Sequence, residues 1–332
     1  TVIGNLLRTE LQDHFNRRLY VETGALLQHP FGDDDRIAEA DPVISLNYRL
    51  TPDWLITAGT IDRDHPLHDA IFWELLRFTD PIEQGFQIKG DSKFLRQDLW
   101  LNWEQRETAT RREKFSIGNF TELKWKGFHL DGQVYWVHLG GQKNSGPGVF
   151  NNLSLGFGGG YSWQNDREDL SFLQGAGAAV HYLYQKDEPP LAAKLEGDGI
   201  AARVWVDVMG FNVYFLNWDA GDPGFHSRRG DAAMPGVALA KGNPLYGADD
   251  FQEVGISRLW PLADAVHLRL DLRQQFVQDQ MVEVYALTVQ WREDFDLFAN
   301  FFRRHGKGAR EAASRPSRLH RRAPAPASRL RP

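Results

Sequence analysis

Apolar and polar residues alternate along this chain with a period of two. In AVHLRLDLRQQF (265–276), Val266, Leu268, Leu270 and Leu272 fall on one face of an extended strand, and His267, Arg269, Asp271 and Arg273 on the other. The pattern recurs in RRLYVETGALLQ (17–28), PVISLNYRL (42–50), LRQDLWLNWEQ (95–105), NNLSLGFGGGYSW (151–163), GIAARVWVDV (199–208) and VYALTVQW (284–291). These segments run to about ten residues, the length a tilted strand needs to cross a bilayer. Strands of soluble domains average about five or six. Fifteen strands are counted between residues 4 and 291, and helical periodicity is almost absent.

The connections alternate too. Short ones fall near 13–16, 51–53, 90–94, 124–126, 164–168, 209–210 and 261–265; long or polar ones at 29–41, 62–84, 105–113, 140–150, 185–193, 219–249 and 277–281. Short turns at one end and long loops at the other are the mark of an up-and-down membrane barrel, whose short turns face the periplasm. Trp54, Trp125, Trp163, Trp260, Trp291, Phe94 and Phe211 gather near the short turns or the last strand's end. Aromatic rings prefer the membrane interface and form girdles there. The pattern therefore predicts an all-β fold: a transmembrane antiparallel β-barrel with its apolar face on lipid and its charged face on a hydrated lumen.

Composition adds limits. The 332 residues contain no cysteine, so disulfides, zinc–cysteine sites and haem attachment are excluded. No apolar run is long enough for a transmembrane helix. The low mean hydropathy does not argue against a barrel, because only alternate strand residues meet lipid. Residues 303–332 hold ten Lys/Arg and one Glu, so they carry +9 against −15 for residues 1–302. This basic Pro/Ala/Arg-rich segment cannot build a core. It is read as a disordered or artefactual tail on a 1–302 barrel, with no nucleic-acid role.

By strand alternation, girdle and loop asymmetry, residues 4–298 resemble a Gram-negative outer-membrane β-barrel of the porin-like kind. YALTVQWREDFDLF (285–298) resembles the aromatic ending of such barrels, with Trp291 or Phe298 as terminus. The resemblance implies the outer membrane, contact with its lipid and lipopolysaccharide, no cofactor and a possible homo-trimer. Such barrels are usually even-stranded. Fifteen visible strands then imply sixteen, the first lying before residue 1.

The strand residues Arg49, Lys89, Arg96, Asp98, Glu104, Asp131, Arg203, Asp207, Arg269, Asp271 and Arg273 are assigned to the lumen. Their signs balance, which predicts no strong ion preference. They serve as solute contacts or as a cross-strand ion-pair lattice. The loop 62–84 is long enough to carry a function. Pro66 is expected to open a short helix with Ile71, Leu75 and Phe78 on one face. Folded into the barrel, this loop would present Asp64, His65, His68, Asp69, Glu74 and Arg77 to solutes. His65, His68 and Asp69 have a spacing that metal ligands also show, but it is common by chance, and no metal site is assigned. In the loop 219–249, His226, Arg228 and Arg229 are candidates for anion or lipopolysaccharide phosphate contacts on an external loop. The run GFGGG (156–160) lies inside a strand, so it fails as a phosphate loop and is read as making room in the lumen or bending the strand.

The function expected first is a channel, not an enzyme: small hydrophilic solutes would diffuse through the charged lumen, narrowed by residues 62–84. The alternatives are a sheath or export conduit for a partner or polymer, an outer-membrane enzyme acting on lipid or polysaccharide, and a soluble β-protein. No Ser/His motif marks an enzyme, and no 40–50-residue repeat marks a propeller.

Overall fold

The computed structural model describes residues 4–32, 39–143, 146, 148–165, 172–191, 193–226 and 239–293. The strands are β1 (Gly4–His14), β2 (Leu19–Pro30), β3 (Glu39–Thr51), β4 (Trp54–Ile61), β5 (Glu83–Asp91), β6 (Leu95–Gln105), β7 (Glu113–Trp125), β8 (Phe128–Gly140), β9 (Phe150–Gln164), β10 (Leu173–Glu188), β11 (Leu195–Val208), β12 (Phe211–Ala220), β13 (Asp250–Ala263), β14 (Val266–Val277) and β15 (Gln280–Trp291). They form one antiparallel sheet whose spatial order is the order of the chain. Among the described residues β1 pairs only with β2 and β15 only with β14, so the sheet is not closed. With an odd count, β1 and β15 run in the same direction and cannot pair antiparallel. Phe298 and the basic tail lie outside the described residues.

The alternation decides the two faces. On β3, Ile44, Leu46, Tyr48 and Leu50 point out and are exposed, while Ser45 and Asn47 between them are buried inside. On β15, Tyr285, Leu287 and Val289 present a bare apolar face. The face that a soluble protein would cover is here on the outside, as a bilayer requires.

Tight hairpins join the strands at one end. Lys126 and Met209 take positive φ (46° and 53°), each followed by a glycine at positive φ, the geometry of a two-residue primed turn. Two connections depart from the expected lengths. The link β14–β15 is also a two-residue turn, through Gln278 and Asp279. The link β9–β10 spans 165–172.

Two of the long connections fold into the sheet's concave side. The first, after β4, buries Leu67, His68, Ala70, Ile71, Phe72 and Leu76. Its only helix is α1 (Leu76–Thr79), so the helix expected from Pro66 does not form. Instead, turns closed by the His68 carbonyl carry Ile71 and Phe72 inward. The second, before β13, buries Leu239, Ala240 and Tyr246, which corrects the expectation of a wholly external loop. Trp100, Phe120, Tyr135, Leu183 and Trp218 on the strands' inner faces complete an apolar core around both loops. Glycine makes the room: a β-carbon on Gly118 would collide with the Trp100 ring, and one on Gly156 would stand 3.1 Å from Ile71 Cδ1.

Candidate functional site

The inserted loop 62–82 is held by its charged residues. His65 is gripped at both ring nitrogens, Nε2 to Glu83 at 2.6 Å and Nδ1 to Asp98 at 2.9 Å, and stacks on Trp100 with centroids 3.5 Å apart. Burial alone would push this imidazole down. The two carboxylates outweigh it and raise its pKa to about 9, so His65 is a fixed cation. Arg63 reaches Asp80 at 3.1 Å, and Lys89 reaches Asp62 at 2.6 Å.

His68 lies beside His181 of β10, ring centroids 5.3 Å apart. Burial, and then the neighbouring His181, hold the His68 pKa well below the usual histidine range, so it is neutral. His181 Nε2 meets Asp131 at 3.0 Å, and its Nδ1 is buried with no hydrogen-bond partner. A β-carbon on Gly158 would collide with this ring, so the glycine run lets His181 lie flat on the wall.

Asp69 accepts from Asn243 Nδ2 at 2.6 Å, which ties the two inserted loops together, and burial raises its pKa to about 6. Glu74 meets Arg273 at 3.2 Å and Arg269 at 3.6 Å; those guanidiniums with Arg77 hold its pKa down against burial. Asp64 is exposed; its carbonyl accepts from Lys89 and its N–H donates to Asp62 Oδ1, both at 3.1 Å. Of the six loop residues, Asp69, Glu74 and Arg77 come together, Glu74 N–H donating to Asp69 Oδ1 at 2.9 Å and Arg77 meeting Glu74 at 2.9 Å, while His65 pairs with Glu83 and Asp98 and His68 lies beside His181. His65, His68 and Asp69 share no ligand position. Among the described residues no group of His, Asp and Glu is arranged to hold a metal.

The strand charges lie on the inner face with partners of their own. Arg49 covers the Tyr20 ring at 4.8 Å, Arg96 the Phe120 ring at 5.6 Å and Arg203 the Tyr214 ring at 4.1 Å. Asp98 binds His65 and Gln87; Glu104 bridges Lys114 at 2.6 Å and Lys241 at 3.4 Å; Asp207 accepts from Asn212 at 2.8 Å. Arg269 pairs with Asp271 at 2.7 Å. Of the second loop's candidates, His226 Nδ1 contacts the Gly224 carbonyl at 2.9 Å, and Arg228 and Arg229 lie outside the described residues.

The outer face carries a further polar set that the alternation did not single out. Near the long-loop end of β8 and β9, His138 Nδ1 donates to Asn151 Oδ1 at 2.9 Å. That bond fixes the tautomer and leaves Nε2 as the basic nitrogen. A β-carbon on Gly140 would collide with Nε2, so the glycine keeps it uncovered. Around it Phe115 stands 4.9 Å and Trp136 5.5 Å away by centroids, and Trp103 stacks on Phe115 at 5.5 Å. Beside it, Arg112 donates to the Leu139 carbonyl at 3.1 Å and to that of Gly148. The signal was present in VYWVHLG (134–140): His138 continues an outward row that begins at Val134 and Trp136, and a polar residue on a lipid face asks for a reason.

Comparison with solved structures gives the fold. A loop-deletion mutant of OmpT, an outer membrane protein of Vibrio cholerae, is 9% identical, covers 87% of this chain and 91% of its own, and superposes with a TM-score of 0.51. An anion-selective porin from Comamonas acidovorans is 8% identical over 86% of this chain and 90% of its own (TM-score 0.49), and OprD from Pseudomonas aeruginosa 11% identical over 82% and 73% (TM-score 0.47). No curated protein matches the sequence. The structural likeness bears on the fold alone: an antiparallel sheet of the kind that builds outer-membrane β-barrels, as the alternation predicted. A model of an enzyme family, lipid A 3'-O-deacylase-type, matches residues 1–300, and this corrects the expectation that the chain is not an enzyme. With nearly its whole length matched, the chain belongs to the lipid A 3'-O-deacylase-type family.

Proposed function

We propose that the protein hydrolyses an acyl ester of a lipid A-type glycolipid in the outer leaflet, with His138 as general base. One observation carries the reading: a histidine of fixed tautomer stands on the lipid-facing wall, within two residues of the long-loop end. In a barrel of this class the long loops are external. The headgroup esters of outer-leaflet lipid lie at that height, whereas the lumen is reached only past two packed loops.

Among the described residues no hydroxyl side chain hydrogen-bonds His138, and the nucleophile in this reading is water. His138 Nε2 takes a proton as the water oxygen attacks the acyl carbonyl. The tetrahedral intermediate then expels the sugar oxygen, which recovers that proton, giving a free fatty acid and an alcohol. Asn151 keeps Nδ1 protonated and the ring in place.

A diffusion channel is the weaker reading, because Ile71, Phe72, Leu76 and Tyr246 occupy the interior as apolar core. The buried Asp131–His181 pair is the competing base, favoured by its unpartnered Nδ1. The test is release of fatty acid from lipid A in mixed micelles by the refolded barrel. H138Q should lower turnover about 10²–10⁴-fold, the usual contribution of a positioned base, and N151A should lower it less. Wild-type turnover in folded H138Q, with loss in H181Q, would move the reaction to the lumen pair. No release by the wild type would end the hydrolase reading.

A further inference from the structure

The outer wall has a groove below His138. It occupies about 470 Å³ and is lined by Val134, Leu155, Phe157, Tyr182, Tyr184 and the bare backbone of Gly132. The register explains it: Gly132 pairs with Phe157, and Phe157 with Tyr182, so one row across three strands runs from no side chain to two large rings. Phe157 and Tyr182 are 59% and 47% exposed, so the row stands open. Asn119 and Thr121 form the opposite bank, and Gln97 joins them through bonds of 2.6 and 2.8 Å.

We infer that this groove binds one acyl chain of a lipid of the surrounding outer membrane. Past Tyr182 the outward row continues to the exposed Ile200, so this side of the groove opens onto an apolar wall, while the other side ends at Thr121 and Gln97. The lining is aromatic and aliphatic, and the bank offers the second N–H of the Asn119 and Gln97 amides to a chain bearing an ester or hydroxyl oxygen, the Thr121 hydroxyl being given to Gln97. His138 lies six residues up the same strand, roughly 20 Å at the usual strand rise, which an extended long acyl chain spans. That last link rests on the hydrolase reading; occupancy of the groove does not.

A phospholipid with a photoactivatable diazirine in its acyl chain, placed in nanodiscs with the intact barrel, tests the site by peptide mapping. Labelling should concentrate on Phe157, Tyr182 and Tyr184. A β-carbon at Gly132 meets nothing within 4 Å, so a side chain has room to leave the backbone there, and Gly132→Trp puts an indole into the groove. It should cut that labelling at least about fivefold, while Val204→Trp, elsewhere on the outward wall, leaves it unchanged. If G132W does not refold, Gly132→Leu carries the same expectation. H138Q should keep the labelling while losing turnover, which separates the groove from the base. Labelling spread evenly over the outward strands, or unchanged in folded G132W, overturns the assignment. So does a change of oligomeric state in G132W without loss of labelling, which would give the groove to a second copy.

Discussion

His65, clamped between Glu83 and Asp98 with a pKa raised to about 9, makes stability depend on pH in a defined direction. The folded pKa exceeds the ordinary value of 6.5, so the folded protein binds the proton more tightly than the unfolded chain. The contribution is complete below about pH 6.5 and is lost as pH rises through about 9. Its size is on the order of 3 kcal/mol. Chemical unfolding of the refolded barrel should show a midpoint that declines between those pH values, and His65→Phe should remove that decline; a flat profile in the wild type would refute the clamp. Two glycines give an opposite pair. Gly158 underlies the His181 ring, and Gly158→Val should cost about 1–3 kcal/mol by overpacking. Gly132→Ala, in open space, should change the unfolding midpoint little. Which residues are charged was legible in the sequence, but their partners were not: Glu83 and Asp98 meet His65 only because a loop turns inward.

Among the elements, the strands were legible and the loops were not. A period of two fixes which side chains share a face, and residues 42–50 and 95–105 place every second side chain accordingly. A loop has no such constraint. Apolar residues in 62–84 suggested a helix, but tertiary contacts won: Ile71 and Phe72 leave at turns to reach Trp100, Tyr135 and Gly156. Two loops distant in sequence lock together, Trp73 N–H to the Lys241 carbonyl at 2.8 Å and Asn243 N–H to that of Asp69 at 2.9 Å. Such pairing leaves no periodic trace. Replacing residues 66–79 by a short Gly-Ser linker should open the interior, and planar-bilayer conductance should rise at least about tenfold over the wild type. Equal conductance would mean that the loop does not obstruct the lumen.

At the scale of the whole molecule, the inward face packs on the inserted loops and the outward face is exposed and apolar, and the two share a stretch of wall built on glycine. Gly156 has Ile71 of the loop on its inner side and also borders the outer groove, while Gly132 on the neighbouring strand contributes backbone alone. Elsewhere cross-strand side-chain pairs stiffen the sheet, and glycine contributes none. The wall is therefore thin where the plug packs from within and the proposed acyl chain lies from without. A shift of Ile71 deforms the groove's floor directly, so that a load on one side of the barrel is transmitted to the other through a single layer of peptide.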